Sequence, residues 1–120
     1  MASADRRKEK QISHRIAMGL FSFLFAGANN LREAILQDAV IIDVRPPYLY
    51  DQGKVPGSLN IPIEQIAKNA GYIKRLGKPV IFCGNGPESA TARRILQQYG
   101  LREVYNGGSW QRVLRLKNSI

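Results

Sequence analysis

An α/β fold, a small parallel sheet of four or five strands flanked by helices on both faces, follows from three observations. Apolar, β-branched runs alternate with stretches of helical period from Leu31 onward. The two clearest runs, VIIDV (Val40 to Val44) and KPVIFC (Lys78 to Cys83), are apolar almost throughout. Strands buried on both faces read that way, whereas half-exposed strands alternate. The links between runs are short, which favours crossover helices packed on the sheet.

The elements follow in order. LREAILQ (Leu31 to Gln37) spaces its apolar residues for a helix. VIIDV is the first strand. PPYLYDQGKVPG is a turn-rich connection with a short helical piece around Tyr48 to Gln52. SLNIP offers a short strand. IEQIAKNAGYIKRLG has a helical period, with Ile63, Ile66, Ala67 and Ala70 on one side. KPVIFC is the second buried strand. ESATARRILQQYG is a helix starting near Ser89 and capped by Gly100. REVYNGG holds a third clear strand. SWQRVLRL is a closing helix with Ser109 as its N-cap. No internal repeat or low-complexity segment interrupts the order.

The 120 residues suit one domain with a modest core. Apolar content of 44% with 22% charged residues is globular rather than disordered. One cysteine cannot form an internal disulfide, so nothing depends on an oxidising compartment. The net charge of +9 comes from 18 basic and 9 acidic residues and is spread along the chain. Such a surface attracts anions. It lacks a recognition helix, zinc-ligand spacing or aromatic-basic interleaving, so no specific nucleic-acid partner is expected. RVLRLK (Arg112 to Lys117) is the densest late basic patch and a candidate docking surface.

Residues 1–29 read as a separate N-terminal extension before a domain at 30–120. A basic head precedes an apolar run from Ile16 to Ala28 that ends in a small-x-small AGA. The run is too short to span a bilayer as a helix. A packed or flexible extension ranks first. A secretory signal ranks second. Ile12, Ile16, Leu20 and Leu24 lie four apart, which also suits an amphipathic helix, so membrane association of this segment stays open. Met18 is an alternative start. The cytoplasm is the expected compartment, with export if residues 1–28 are a signal peptide. A monomer is expected.

In open α/β sheets ligands collect at the carboxyl ends of the strands. Cys83 ends a central strand, and a helix begins within six residues. Backbone amides of the loop and first helical turn can converge there as an anion-binding nest. A thiol at the centre of such a nest has a lowered pKa and raised reactivity. Gly84 and Gly86 permit the backbone angles needed to wrap a sulfur. On these residues alone, a reactive thiol and a cysteine that merely packs are about equally supported.

Four motifs break the tie. VIIDVR (40–45), YDQGKVPGSLNIP (50–62), VIFCGNGPES (80–89) and VYNGGSWQRV (104–113) resemble, in order and spacing, the signatures of rhodanese-like single-domain sulfurtransferases. Lys54 stands where that family often has histidine. The resemblance implies a rhodanese-like fold and a sulfur relay with Cys83 as the catalytic nucleophile. A donor such as thiosulfate or a persulfide would leave a persulfide on Cys83, and a thiol or cyanide would remove it. Gly84, Asn85, Gly86, Pro87, Glu88 and Ser89 would form the substrate-binding loop through their amides, except Pro87, which has none. Arg45 is a further candidate there, although fixing loops with Asp43 suits it better. No metal or organic cofactor is implied, and His14 lies outside the matched region.

The loop departs from the family's Cys-x-x-Gly-x-Arg-Ser: Glu88 stands at the arginine position. A carboxylate within about 5 Å opposes thiolate formation and repels a dianion. Thiosulfate is therefore expected to be a poor donor, unless Glu88 points outward beside a base such as Arg93. This departure sustains an alternative, a catalytically weak module acting as persulfide carrier or protein-interaction domain. An oxyanion enzyme on the same fold needs a longer loop ending in arginine, and the chain has Ser89 instead. Trp110 is expected to bury its ring against the core.

Overall fold

The computed structural model describes residues 28–120; the expectations for Ile12 to Leu24, His14 and Met18 lie outside them. Helix α1 (Ala28–Leu36) leads to β1 (Val40–Asp43), the short α2 (Pro47–Gln52) and β2 (Leu59–Asn60). Two 3-10 turns (Ile63–Gln65, Ala67–Asn69) run into α3 (Ala70–Arg75). Then come β3 (Val80–Gly84), α4 (Pro87–Gln98), β4 (Val104–Ser109) and α5 (Trp110–Asn118). The strands form one parallel sheet in the order β2-β1-β3-β4. The predicted fold class holds, with four strands.

Strand β3 shows why the sheet needs cover on both sides: all five of its residues are buried. Its side chains alternate between two cores. Val80 and Phe82 join Ile66, Ala70, Ile73, Ala92 and Leu96 on one face. Ile81 and Cys83 join Leu31, Ala34, Val55 and Val113 on the other. Each fully buried large apolar side chain contributes ~1.5–3 kcal/mol, so both faces hold the sheet in place. Just beyond β1 the Asp43 carboxylate accepts the Arg45 amide hydrogen at 3.0 Å, a local turn at the strand end.

Two segments differ from expectation. Residues 63–75 do not form one helix. Bonds of the i to i+3 type, Gln65 N–H to Pro62 O and Asn69 N–H to Ile66 O, build 3-10 turns first. Ile66, Ala70 and Ile73 are the buried contacts, while Ala67 is exposed. Helix α4 begins at Pro87 rather than near Ser89, because proline's fixed φ suits the first helical position. As predicted, Ser109 caps α5, its hydroxyl accepting the Arg112 N–H at 3.2 Å.

Strand β4 carries a bulge. Phe82 pairs with Asn106 and Gly84 with Ser109, so three steps on β4 match two on β3. Gly107 lies inside it. A β-carbon there would stand 2.6 Å from Val113 Cγ2 and 2.8 Å from the Phe82 carbonyl oxygen. Only a glycine lets α5 and β3 come this close.

Candidate active site

Cys83 lies one residue from the carboxyl end of β3, in register with Asp43 of β1. The alternation that points Ile81 inward also points Cys83 inward. It is 0% exposed, among the side chains of the α1 and α5 face. Beside it lies a buried ion pair. Arg45 Nη2 donates to Asp43 Oδ2 at 2.7 Å, and Arg45 Nε lies 3.0 and 3.1 Å from the two carboxylate oxygens. Arg45 also donates to the carbonyls of Gly53 at 2.6 Å and Leu49 at 3.4 Å. Its guanidinium carbon stands 5.0 Å from the centroid of the half-buried Trp110 ring. Arg45 thus ties α2 and the following loop to the strand ends. Toward Cys83 it acts through its charge.

That charge is outweighed. Burial first, and the Asp43 carboxylate second, push the Cys83 thiol up from 9.0 to about 12, against a lowering by Arg45. This corrects the expectation of a depressed pKa. Gly84 is still in the sheet, and Asn85 makes an isolated bridge to Ser109. The start of the loop therefore extends the strand instead of curling round the sulfur. The resting group is a sealed, neutral thiol.

The remaining loop residues form a tight entry to α4. Gly86 takes φ +114°, a region that favours glycine, just before the helix. The Ser89 hydroxyl lies 2.5 Å from Gly86 O and 2.7 Å from Asn106 Oδ1, sharing one proton between them. Asn106 Oδ1 also accepts the Gly108 N–H at 3.0 Å. Asn106, which sequence reasoning did not single out, thereby joins the loop to the β4 bulge. Asn85 and Pro87 are exposed at the rim. Lys54 sits over the Tyr50 ring, 4.7 Å from its centroid.

Glu88 turns inward. A β-carbon built on Gly84 would lie 3.2 Å from Val44 Cγ2, 3.5 Å from Arg45 Cγ and 4.0 Å from Glu88 Oε2. That oxygen is buried and has no hydrogen-bond partner. The Arg93 Nε–H goes to the Val104 carbonyl at 3.0 Å. Among the described residues, no group of His, Cys, Asp and Glu is placed to hold a metal ion.

Comparison with known proteins agrees with the fold. The Rhodanese-like domain family matches residues 28–113. An uncharacterized protein of Bacillus subtilis is 38% identical over 69 residues, 57% of this chain and 54% of that one. A sulfurtransferase of Allochromatium vinosum is 33% identical over 85 residues, 68% of this chain and 79% of that one. A solved rhodanese with anions from E. coli superposes with a TM-score of 0.57 at 30% identity, over 62% of this chain and 89% of that one. The chain thus spans about half the length of the first of these relatives and about four fifths of the second.

Proposed function

Because the chain belongs to the rhodanese-like domain family, we propose that it is a sulfurtransferase carrying sulfane sulfur as a persulfide on Cys83. The single observation that carries the proposal is the place of this cysteine, at the carboxyl edge of a central strand with a short loop and the start of α4 beyond it. In the first step the Cys83 thiolate attacks the outer sulfur of the donor. A bond forms between Sγ and that sulfur, the donor's S–S bond breaks, and the electron pair leaves with the remainder: sulfite from thiosulfate, a thiolate from a persulfide. In the second step an external thiol or cyanide takes the outer sulfur and Cys83 leaves as thiolate. The acceptor is external because Cys83 is the only cysteine. Two easier transfers replace one difficult one.

The sealed thiol sets a condition on this chemistry. Cys83 is 0% exposed, so a donor reaches Sγ only when the groups that cover it move. Opening admits water and lets loop amides approach the sulfur, which relieves the burial that keeps it protonated. The same sealing favours one alternative, a carrier that accepts sulfur from a docked partner and does not turn over quickly with small donors.

The test is thiocyanate production from a small donor and cyanide. Sustained production that disappears in Cys83→Ser supports the transferase. Loading without turnover assigns the carrier. Equal production by Cys83→Ser refutes both.

A further inference from the structure

A cavity of about 280 Å³ opens at the amino end of the parallel sheet, the end opposite Cys83. Val40, Ile41, Leu59 and Leu76 give it apolar walls. The space exists because β2 is only two residues long. It pairs with Ile42 and Asp43 and leaves the first half of β1 without a strand on that side. Strand alternation fixes what β1 presents there. The Val40 and Val44 N–H groups donate toward β3, to Pro79 O at 2.8 Å and Cys83 O at 3.0 Å, and Asp43 O accepts the Ile61 N–H from the β2 side. Successive residues face opposite neighbours, so the Ile41 N–H is directed to the β2 side, ahead of Leu59, where β2 begins. Two ammonium groups and one carboxylate complete the lining. Lys78 Nζ donates to Asp38 Oδ2 at 2.7 Å, and Lys117 Nζ donates to the Pro56 carbonyl at 2.8 Å. An ammonium carries three hydrogens, so each lysine keeps two for another acceptor. The Lys78 hydrogen bond and charge, and to a smaller degree the Lys117 charge, hold the Asp38 carboxyl below its ordinary value, so the three groups act as one cluster. Two positive charges against one negative leave a single positive charge.

We propose that this cavity binds a small amphipathic monoanion, a carboxylate carried on an aliphatic chain. The chain lies against Val40, Leu59 and Leu76, and the carboxylate accepts hydrogen bonds from Lys117, Lys78 and the Ile41 N–H. The single net positive charge matches a monoanion in sign and size. A bare anion would leave the apolar walls wet, and an alkylammonium would meet two like charges. The site lies at the other end of the strands from Cys83 and does not depend on the chemistry of that thiol.

The experiment titrates the full chain with octanoate, octylamine and acetate while the backbone amide signals are followed by NMR. Octanoate should shift the Ile41, Gly57 and Leu59 amides saturably, and equally in Cys83→Ser. Acetate, which lacks the chain, should bind at least about tenfold more weakly. Octylamine should leave these amides unmoved. Lys78→Met and Lys117→Met keep an apolar stem and remove one charge, and each should raise the octanoate Kd about threefold, the scale of an exposed charge pair. Asp38→Asn removes the opposing charge, and asparagine tolerates the left-handed φ of 63° at this position, so the Kd should fall by a similar factor. Added salt should weaken octanoate binding in the unaltered protein, a readout that needs no variant. Octylamine shifts that match those of octanoate, a Kd unchanged when both lysines are replaced, or the absence of any saturable shift at these amides overturns the proposal.

Discussion

Alkylation of Cys83 as a function of pH probes the buried site directly. Its thiol is pushed from 9.0 to about 12, chiefly by burial and secondarily by Asp43. One pKa unit corresponds to about 1.36 kcal/mol, so the folded state favours the protonated form by on the order of 4 kcal/mol. Near pH 8 the folded thiolate is then roughly a thousandfold scarcer than that of an exposed cysteine, and the cover over the sulfur slows attack further. Iodoacetamide labelling read by mass, in buffer and in denaturant, gives both rates. The native protein should label at least about a thousandfold more slowly, with no inflection below pH 10. The linkage has a definite sign. Between about 9 and 12 the unfolded chain has lost this proton while the folded chain keeps it, so stability falls as pH rises through that window. The contribution is fully present below 9, and Cys83→Ala should lack the slope. A native labelling midpoint at or below about 8.5 would refute the reasoning, because the sulfur would then sit in the amide nest that its burial argues against.

Two further outcomes test the frame around the site. Gly107→Ala places a methyl group 2.8 Å from the Phe82 carbonyl and 2.6 Å from Val113 Cγ2, and should cost about 1–3 kcal/mol of stability; an unchanged thermal midpoint would mean that the bulge yields easily. Asp43→Ala leaves the Arg45 guanidinium, 4% exposed, without its carboxylate, and should lose about 3–5 kcal/mol in denaturant unfolding, whereas a loss under about 1 kcal/mol would show that water reaches the pair.

Much of this architecture is legible in the chain. VIIDV and KPVIFC have the continuous apolar character of doubly covered strands, and β1 and β3 lie side by side at the centre of the sheet. Ser109 announces its cap because a serine before a helical run has one favourable use. The break in residues 63–75 was not legible: Ile63, Ile66, Ala70 and Ile73 are separated by three, four and three positions, a spacing that 3-10 turns and an α-helix both satisfy. At the site, the loop composition points to a nest around Cys83, yet the parity of the strand decides otherwise. Ile81 faces the α1 and α5 core, and two residues on Cys83 must face it too. That signal is present in the sequence and outweighs the glycines. The burial of Glu88 Oε2 has no such local signal. Likewise Arg45 meets Gly53 and Trp110 only because the fold brings α2 and α5 to the ends of β1.

The central claim, that Cys83 accepts sulfur, is tested most directly by intact mass after incubation with a small persulfide and, separately, with thiosulfate, followed by removal of excess donor. The account predicts a gain of one sulfur atom, discharged by cyanide, abolished in Cys83→Ser and larger with the persulfide than with thiosulfate. A mass unchanged by either donor, or a gain that persists in Cys83→Ser, would contradict it.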